Sequence, residues 1–121
     1  MNIYFVRHGE SILNAQGKHQ FADTPLSDTG LKQAQTVANR FINIPVDFIV
    51  TSPYKRAYQT ASIIGKTIAL TVHKNALLRE YKRPSIIEGK LATDPQIVAI
   101  KNKIDAHADN KLWHFEDAEN F

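Results

Sequence analysis

The alternation of short apolar runs with longer stretches of helical period constrains the fold of this chain more than any other feature. Asn2 to Val6 is apolar without polar alternation, the pattern of a strand buried on both faces. Ser27 offers an N-cap, and Leu31, Ala34, Ala38, Phe41 and Ile42 recur at helical spacing until Pro45 stops the run. Asp47 to Thr51 predicts a second strand. Ser52-Pro53 then reads as a helix start, a capping hydroxyl followed by a proline whose missing N–H costs nothing there. Tyr54, Ala57, Ala61, Ile64 and Ile68 supply the buried stripe of that helix, and Leu70 to His73 reads as a third strand. Asp94 can cap a last helix with Ile97, Ile100, Ile104 and Ala108 on one face. Strand, helix, strand, helix, strand is the pattern of an α/β fold with a parallel sheet and right-handed crossovers. Residues 10–25 are polar and irregular and read as a long loop, a length that usually carries function.

At 121 residues the chain fits one domain, 1–121, and is too short for two. Its 43% hydrophobic and 22% charged residues argue against disorder. No apolar run approaches the roughly 18 residues of a membrane span, and the apolar start lacks a signal-peptide cleavage region, so a cytoplasmic protein without membrane partners is expected. The absence of cysteine removes disulfides, thiolate metal sites and thiol nucleophiles. The net charge of +3 is mild and comes from cations spread along the chain, which a phosphorylated small molecule explains as well as nucleic acid would, and no nucleic-acid partner is expected.

In an open parallel sheet, ligands bind beyond the carboxyl ends of the strands. Arg7 and His8 follow the first expected strand, Arg56 lies in the first turn after the second, and Glu80 comes a few residues beyond the third. One edge is therefore expected to present a histidine, two arginines and a carboxylate. Guanidinium forks bind phosphate in a bidentate manner, a neutral imidazole is a competent nucleophile toward phosphorus, and a partly buried carboxyl group can protonate the leaving oxygen. His8, His19, His73, His107 and His114 lack the short paired spacing of zinc sites, so no metal and no other cofactor is expected.

Arg7-His8-Gly9-Glu10-Ser11 with Asn14 resembles the opening signature of the histidine phosphatase superfamily, the phosphoglycerate mutase-like family. The resemblance continues through residues 23–30, Gln33-Ala34, Thr51-Ser52-Pro53, Arg56-Ala57 and Gln59-Thr60-Ala61, and covers essentially the whole chain. It implies a three-layer α/β/α fold, His8 as phosphorylated nucleophile, Arg7 and Arg56 as phosphate-binding arginines, Glu80 as proton donor, and Asn14 as a further holder of the phosphoryl group.

The family also places a second catalytic histidine, before a glycine, on a strand of its C-terminal half. No counterpart precedes Phe121, and neither His107 nor His114 stands in that context, so the resemblance implies a domain incomplete at its C-terminal end. Residues 116–121 look like the start of the helix preceding that strand. The expected activity is that of a metal-independent phosphomonoester hydrolase working through phosphohistidine, weak or absent in this shortened form. Two alternatives stand beside it: a non-catalytic phosphate-binding or interaction module, and a protein phosphohistidine phosphatase. A sheet lacking a strand beside its first would leave an edge that a homodimer could fill. Glu80 lies among Arg79, Lys82 and Arg83, so a solvated ion-pair network is its rival role, and Asn14 has a turn as its rival role.

Overall fold

The computed structural model describes residues 1–110, 113 and 115–117. The chain divides into two compact units, Met1–Ile12 with Ala22–Arg79, and Leu13–Phe21 with the described residues from Glu80 onward. Its elements in chain order are α1 (Ile12–Ala15), α2 (Asp28–Arg40), β1 (Ile49–Thr51), α3 (Lys55–Ile68), β2 (Val72–Lys74) and α4 (Pro95–Asp105), with single 3-10 turns at Ala76–Leu78 and Ser85–Ile87.

The first unit is a β1–α3–β2 crossover with α2 packed on α3. The two strands pair in parallel with Ile49 opposite Val72, Val50 opposite His73 and Thr51 opposite Lys74. Ser27 caps α2 as its sequence position predicts, its hydroxyl accepting from the Gly30 N–H at 3.0 Å. The buried stripe of α2 is Gly30, Ala34 and Ala38, three small residues one turn apart, and Leu31 is exposed instead. Small side chains at the contact let two helices approach closely. The helix ends at Arg40 with Phe41 as its C-cap, five residues before Pro45, because the chain turns through 41–44.

α3 begins later than Ser52-Pro53 predicts. Tyr54 is its N-cap, and the Ser52 hydroxyl accepts from the Tyr54 N–H at 3.3 Å, closing a turn ahead of the helix. The helix stops at Ala69, which adopts the left-handed conformation (φ 57°) while the Leu70 N–H returns to the Gly65 carbonyl at 2.9 Å. On the sheet, Thr51 is buried, whereas Val50 and His73 are exposed. The ring of Phe48 stacks on His73 at 4.4 Å.

Residues 1–10 form neither helix nor ladder, contrary to the strand expected at Asn2–Val6. A strand buried on both faces needs neighbours on its edges and layers above and below, and the ladder among the described residues joins only β1 and β2. Tyr4 packs edge-on against Phe41 at 5.7 Å, while Phe5 is 95% exposed.

In the second unit an antiparallel bridge joins Lys18 to Leu91. Around it His19 N–H donates to the Lys90 carbonyl, Gly89 N–H to the His19 carbonyl and Ala92 N–H to the Gly17 carbonyl, each at 2.9 Å. The loop expected over 10–25 is thus ordered by backbone pairing, and it contains the short α1. Pro84, Ile87 and Ile97 are buried. Asp94 caps α4 by accepting from the Gln96 N–H at 2.8 Å, and α4 ends at Asp105, short of Ala108. Glu116 and Asp117 form a turn with Glu116 at φ 50°, and His114 and the rest of the helix start expected over 116–121, residues 118–121, lie outside the described residues. The Asp117 carboxylate accepts from Ser85 N–H (2.9 Å) and hydroxyl (2.5 Å) and pairs with Lys82 at 2.8 Å.

Candidate functional site

His8 stands two residues beyond the N-terminal apolar run, and Arg56 is the second residue of α3. The fold brings them together: Arg56 Nε donates to His8 Nε2 at 3.2 Å. The other ring nitrogen, Nδ1, lies 2.7 Å from the Gly9 carbonyl. A carbonyl can only accept and a guanidinium can only donate, so the two contacts select one tautomer, with the proton on Nδ1 and the lone pair on Nε2. The imidazole therefore presents an unprotonated nitrogen toward a guanidinium that is only 2% exposed. The Arg56 guanidinium also lies 5.1 Å from the centre of the Tyr54 ring, which covers it.

The peptides around Gly9 are held on several sides. Gly9 N–H donates to the Thr60 hydroxyl at 3.2 Å, and that hydroxyl donates to the Arg56 carbonyl at 2.9 Å. Glu10 N–H donates to Gln33 Oε1 at 2.8 Å. The Glu10 carbonyl accepts from Ser27 N–H at 2.9 Å, and the Ser27 hydroxyl reaches the Glu10 carboxylate at 2.7 Å. Leu26 N–H donates to Gln59 Oε1 at 2.8 Å. Backbone meets backbone between Gly9-Glu10 and Gly30: a Cβ at Gly9 would collide with the Gly30 carbonyl, and a Cβ at Gly30 with the Glu10 carbonyl. Both positions thus require glycine for close approach. Each of these hydrogen bonds is worth about 0.5–1.5 kcal/mol net, and together they locate the imidazole.

Arg7 is exposed beside His8. Asn14 and Glu80 belong to the second unit, so the first unit alone builds the His8–Arg56 pair. Asn14 sits in α1, and its backbone carbonyl accepts from Gly17 N–H at 2.9 Å. Glu80 is exposed. Thr60, Gln33, Gln59 and Gly30 were visible in the sequence only as motif positions; their hydrogen-bonding duties appear once α2 and α3 pack.

In the second unit His19 is buried, with Nδ1 3.1 Å from Arg83 Nη1. Because arginine cannot accept, His19 carries its proton on Nε2. Burial first, and then the charges of Arg83 and Lys101, push the His19 imidazole below its usual range. Lys82 and Ser85 hold the Asp117 carboxyl well below the usual carboxylate range.

The parallel β–α–β crossover makes this an α/β protein, and the histidine ahead of it faces an arginine inside it. The model of the histidine phosphatase superfamily (branch 1) matches residues 3–112, and the chain belongs to that family. A probable phosphoglycerate mutase, GpmB, of Yersinia pestis (strain Pestoides F) is 40% identical over 81 residues, which is 66% of this chain and 38% of the mutase. Among solved structures, the mycobacterial glucosyl-3-phosphoglycerate phosphatase in complex with VO3 superposes with a TM-score of 0.76 at 27% identity, over 93% of this chain and 54% of the phosphatase. The alpha-ribazole phosphatase of Shigella flexneri shares the fold, with a TM-score of 0.74 at 24% identity over 96% of this chain and 57% of that one. The chain thus spans little more than half the length of these structures.

Proposed function

We propose that the chain carries the nucleophile-bearing part of a metal-independent phosphomonoester hydrolase that works through a phosphohistidine at His8. The observation that carries this reading is the Nε2 lone pair of His8 held 3.2 Å from the buried guanidinium of Arg56. A phosphoryl group entering between them meets a nucleophile and a cation aimed at the same point. Nε2 attacks phosphorus, the bond to the alkyl oxygen breaks, and that oxygen takes a proton, from Glu80 by resemblance. Water then attacks phosphorus, giving its proton to the carboxylate left by the first step, and the N–P bond breaks, releasing inorganic phosphate and restoring the imidazole. Arg56, with Arg7 and, by resemblance only, Asn14, holds the phosphoryl oxygens as charge spreads over them. The names of the relatives, a phosphoglycerate mutase and a glucosyl-3-phosphoglycerate phosphatase, support a small phosphorylated metabolite as substrate.

One sequence feature favours a second reading, a phosphate-binding module without turnover: His8 is the only histidine of the five that precedes a glycine. Hydrolysis of 4-nitrophenyl phosphate separates the two. On the first reading weak turnover by the 121-residue chain is expected, abolished in His8→Ala and lowered about a hundredfold in Arg56→Lys, which loses the Nε donor. Absence of turnover together with micromolar to millimolar orthovanadate binding would leave the second reading and sink the first.

A further inference from the structure

We infer that Thr60 is a positioning residue that sets the tautomer of His8 through a closed ring of hydrogen bonds. This rests on the reading of His8 as phosphoryl acceptor and extends it to a residue that touches neither substrate nor the reacting atoms.

The ring runs from Arg56 Nε to His8 Nε2 (3.2 Å), from His8 Nδ1 to the Gly9 carbonyl (2.7 Å), from Gly9 N–H to Thr60 Oγ1 (3.2 Å), and from the Thr60 hydroxyl to the Arg56 carbonyl (2.9 Å). Its directions are forced. The hydroxyl of Thr60 has one hydrogen, and the Arg56 carbonyl can only accept it, so Thr60 meets Gly9 with a lone pair. That lone pair fixes the Gly9 N–H, and Gly9 in turn offers its carbonyl to Nδ1. Thr60 is 3% exposed, so water does not substitute for it.

The rest of the surroundings leaves the glycine little freedom. A Cβ at Gly9 would lie 3.0 Å from both Cα and carbonyl carbon of Gly30, so the backbone is already in contact on that side. The Glu10 N–H, in the same peptide as the Gly9 carbonyl, donates to Gln33, which polarises the carbonyl toward Nδ1–H. Thr60 closes the opposite side. It also sits one turn after Arg56 on α3, so the same side chain that orients the imidazole is tied to the residue that faces it. Loss of the hydroxyl releases the His8–Gly9 peptide, so that His8 can shift against the Gly9 carbonyl, which the next peptide holds through Glu10 N–H and Gln33, and a displaced Nδ1 is no longer held in the Nδ1–H form. A fraction of the imidazole then carries its proton on Nε2, where it has no lone pair for phosphorus.

The test compares the wild-type chain with Thr60→Val, which keeps the branched shape, and Thr60→Ser, which keeps the hydroxyl. Two readouts are taken: the tautomer of His8 from 15N shifts of the ring nitrogens, and the rate at which phosphoramidate phosphorylates His8. The wild type is expected in the Nδ1–H form. Thr60→Val is expected to mix tautomers and to slow phosphorylation about tenfold, the worth of one buried hydrogen bond, and Thr60→Ser to retain both properties. A folded Thr60→Val with wild-type tautomer and rate would overturn the inference, as would a serine variant impaired as deeply as the valine one. If the valine variant does not fold, Thr60→Cys, with its weak donor and acceptor, is read in its place against the same criteria. A wild-type His8 that resists phosphoramidate while its tautomer still responds to Thr60 would sink the phosphohistidine reading and leave the positioning role standing.

Discussion

Gly30→Ala opposes two physical effects whose magnitudes decide the sign. Gly30 is the third residue of α2, and helix propensity alone favours alanine there by about 1 kcal/mol. The added methyl, however, would drive into the Glu10 carbonyl and lie 2.9 Å from the Glu10 nitrogen and carbonyl carbon. Backbone cannot swing aside as a side-chain end can, and overpacking of this kind costs about 1–3 kcal/mol. Displacing Glu10 also strains its bonds to Ser27 N–H at 2.9 Å and to Gln33 at 2.8 Å, worth about 0.5–1.5 kcal/mol each. Summed against the propensity gain, the substitution is expected to destabilise the chain by about 1–5 kcal/mol. Urea unfolding followed by far-UV circular dichroism measures it, as a lower midpoint at unchanged slope. A midpoint equal to or above that of the wild type would refute the close approach of Gly30 to Glu10, and with it the clamp on the Gly9 peptide.

Ala69→Gly is expected to raise stability by about 1 kcal/mol, because the left-handed cap of α3 then carries no Cβ, and an unchanged or lower urea midpoint would contradict that origin. His19 is expected to make the chain acid-sensitive. Burial and the nearby cations hold its folded imidazole below the ordinary histidine value of 6.5, so between that lowered value and 6.5 the unfolded chain binds more protons. The contribution is fully present above 6.5 and is lost as pH falls through the window, until the folded form protonates as well. Urea midpoints across that range should fall with pH in the wild type and less steeply in His19→Gln; parallel profiles would assign the acid sensitivity elsewhere.

Among the elements, those defined by local spacing were legible in the chain itself. The caps at Ser27 and Asp94 follow from side chains that reach N–H groups two or three residues on, and the helices themselves follow from the 3.6-residue period, although Leu31, Ile42 and Ala108 of the expected stripes are exposed. The alternation of runs and helices specifies a parallel crossover, because two short strands joined by a helix have few other arrangements. The residue types at 8 and 56 name a nucleophile and an anion-binding group. Only the tertiary structure decided the rest. Asn2–Val6 has the composition of a buried strand, yet pairing depends on a neighbour that no local pattern supplies, and Phe5 stays exposed. The Ser52-Pro53 start gave way to Tyr54 because the Ser52 hydroxyl serves its own turn. The tautomer of His8 depends on a carbonyl next to it, a hydroxyl 51 residues from Gly9 and a guanidinium 48 residues from His8. Propensity and period are properties of neighbours along the chain, whereas hydrogen-bond direction at the site is a property of segments that meet only when α2 and α3 pack.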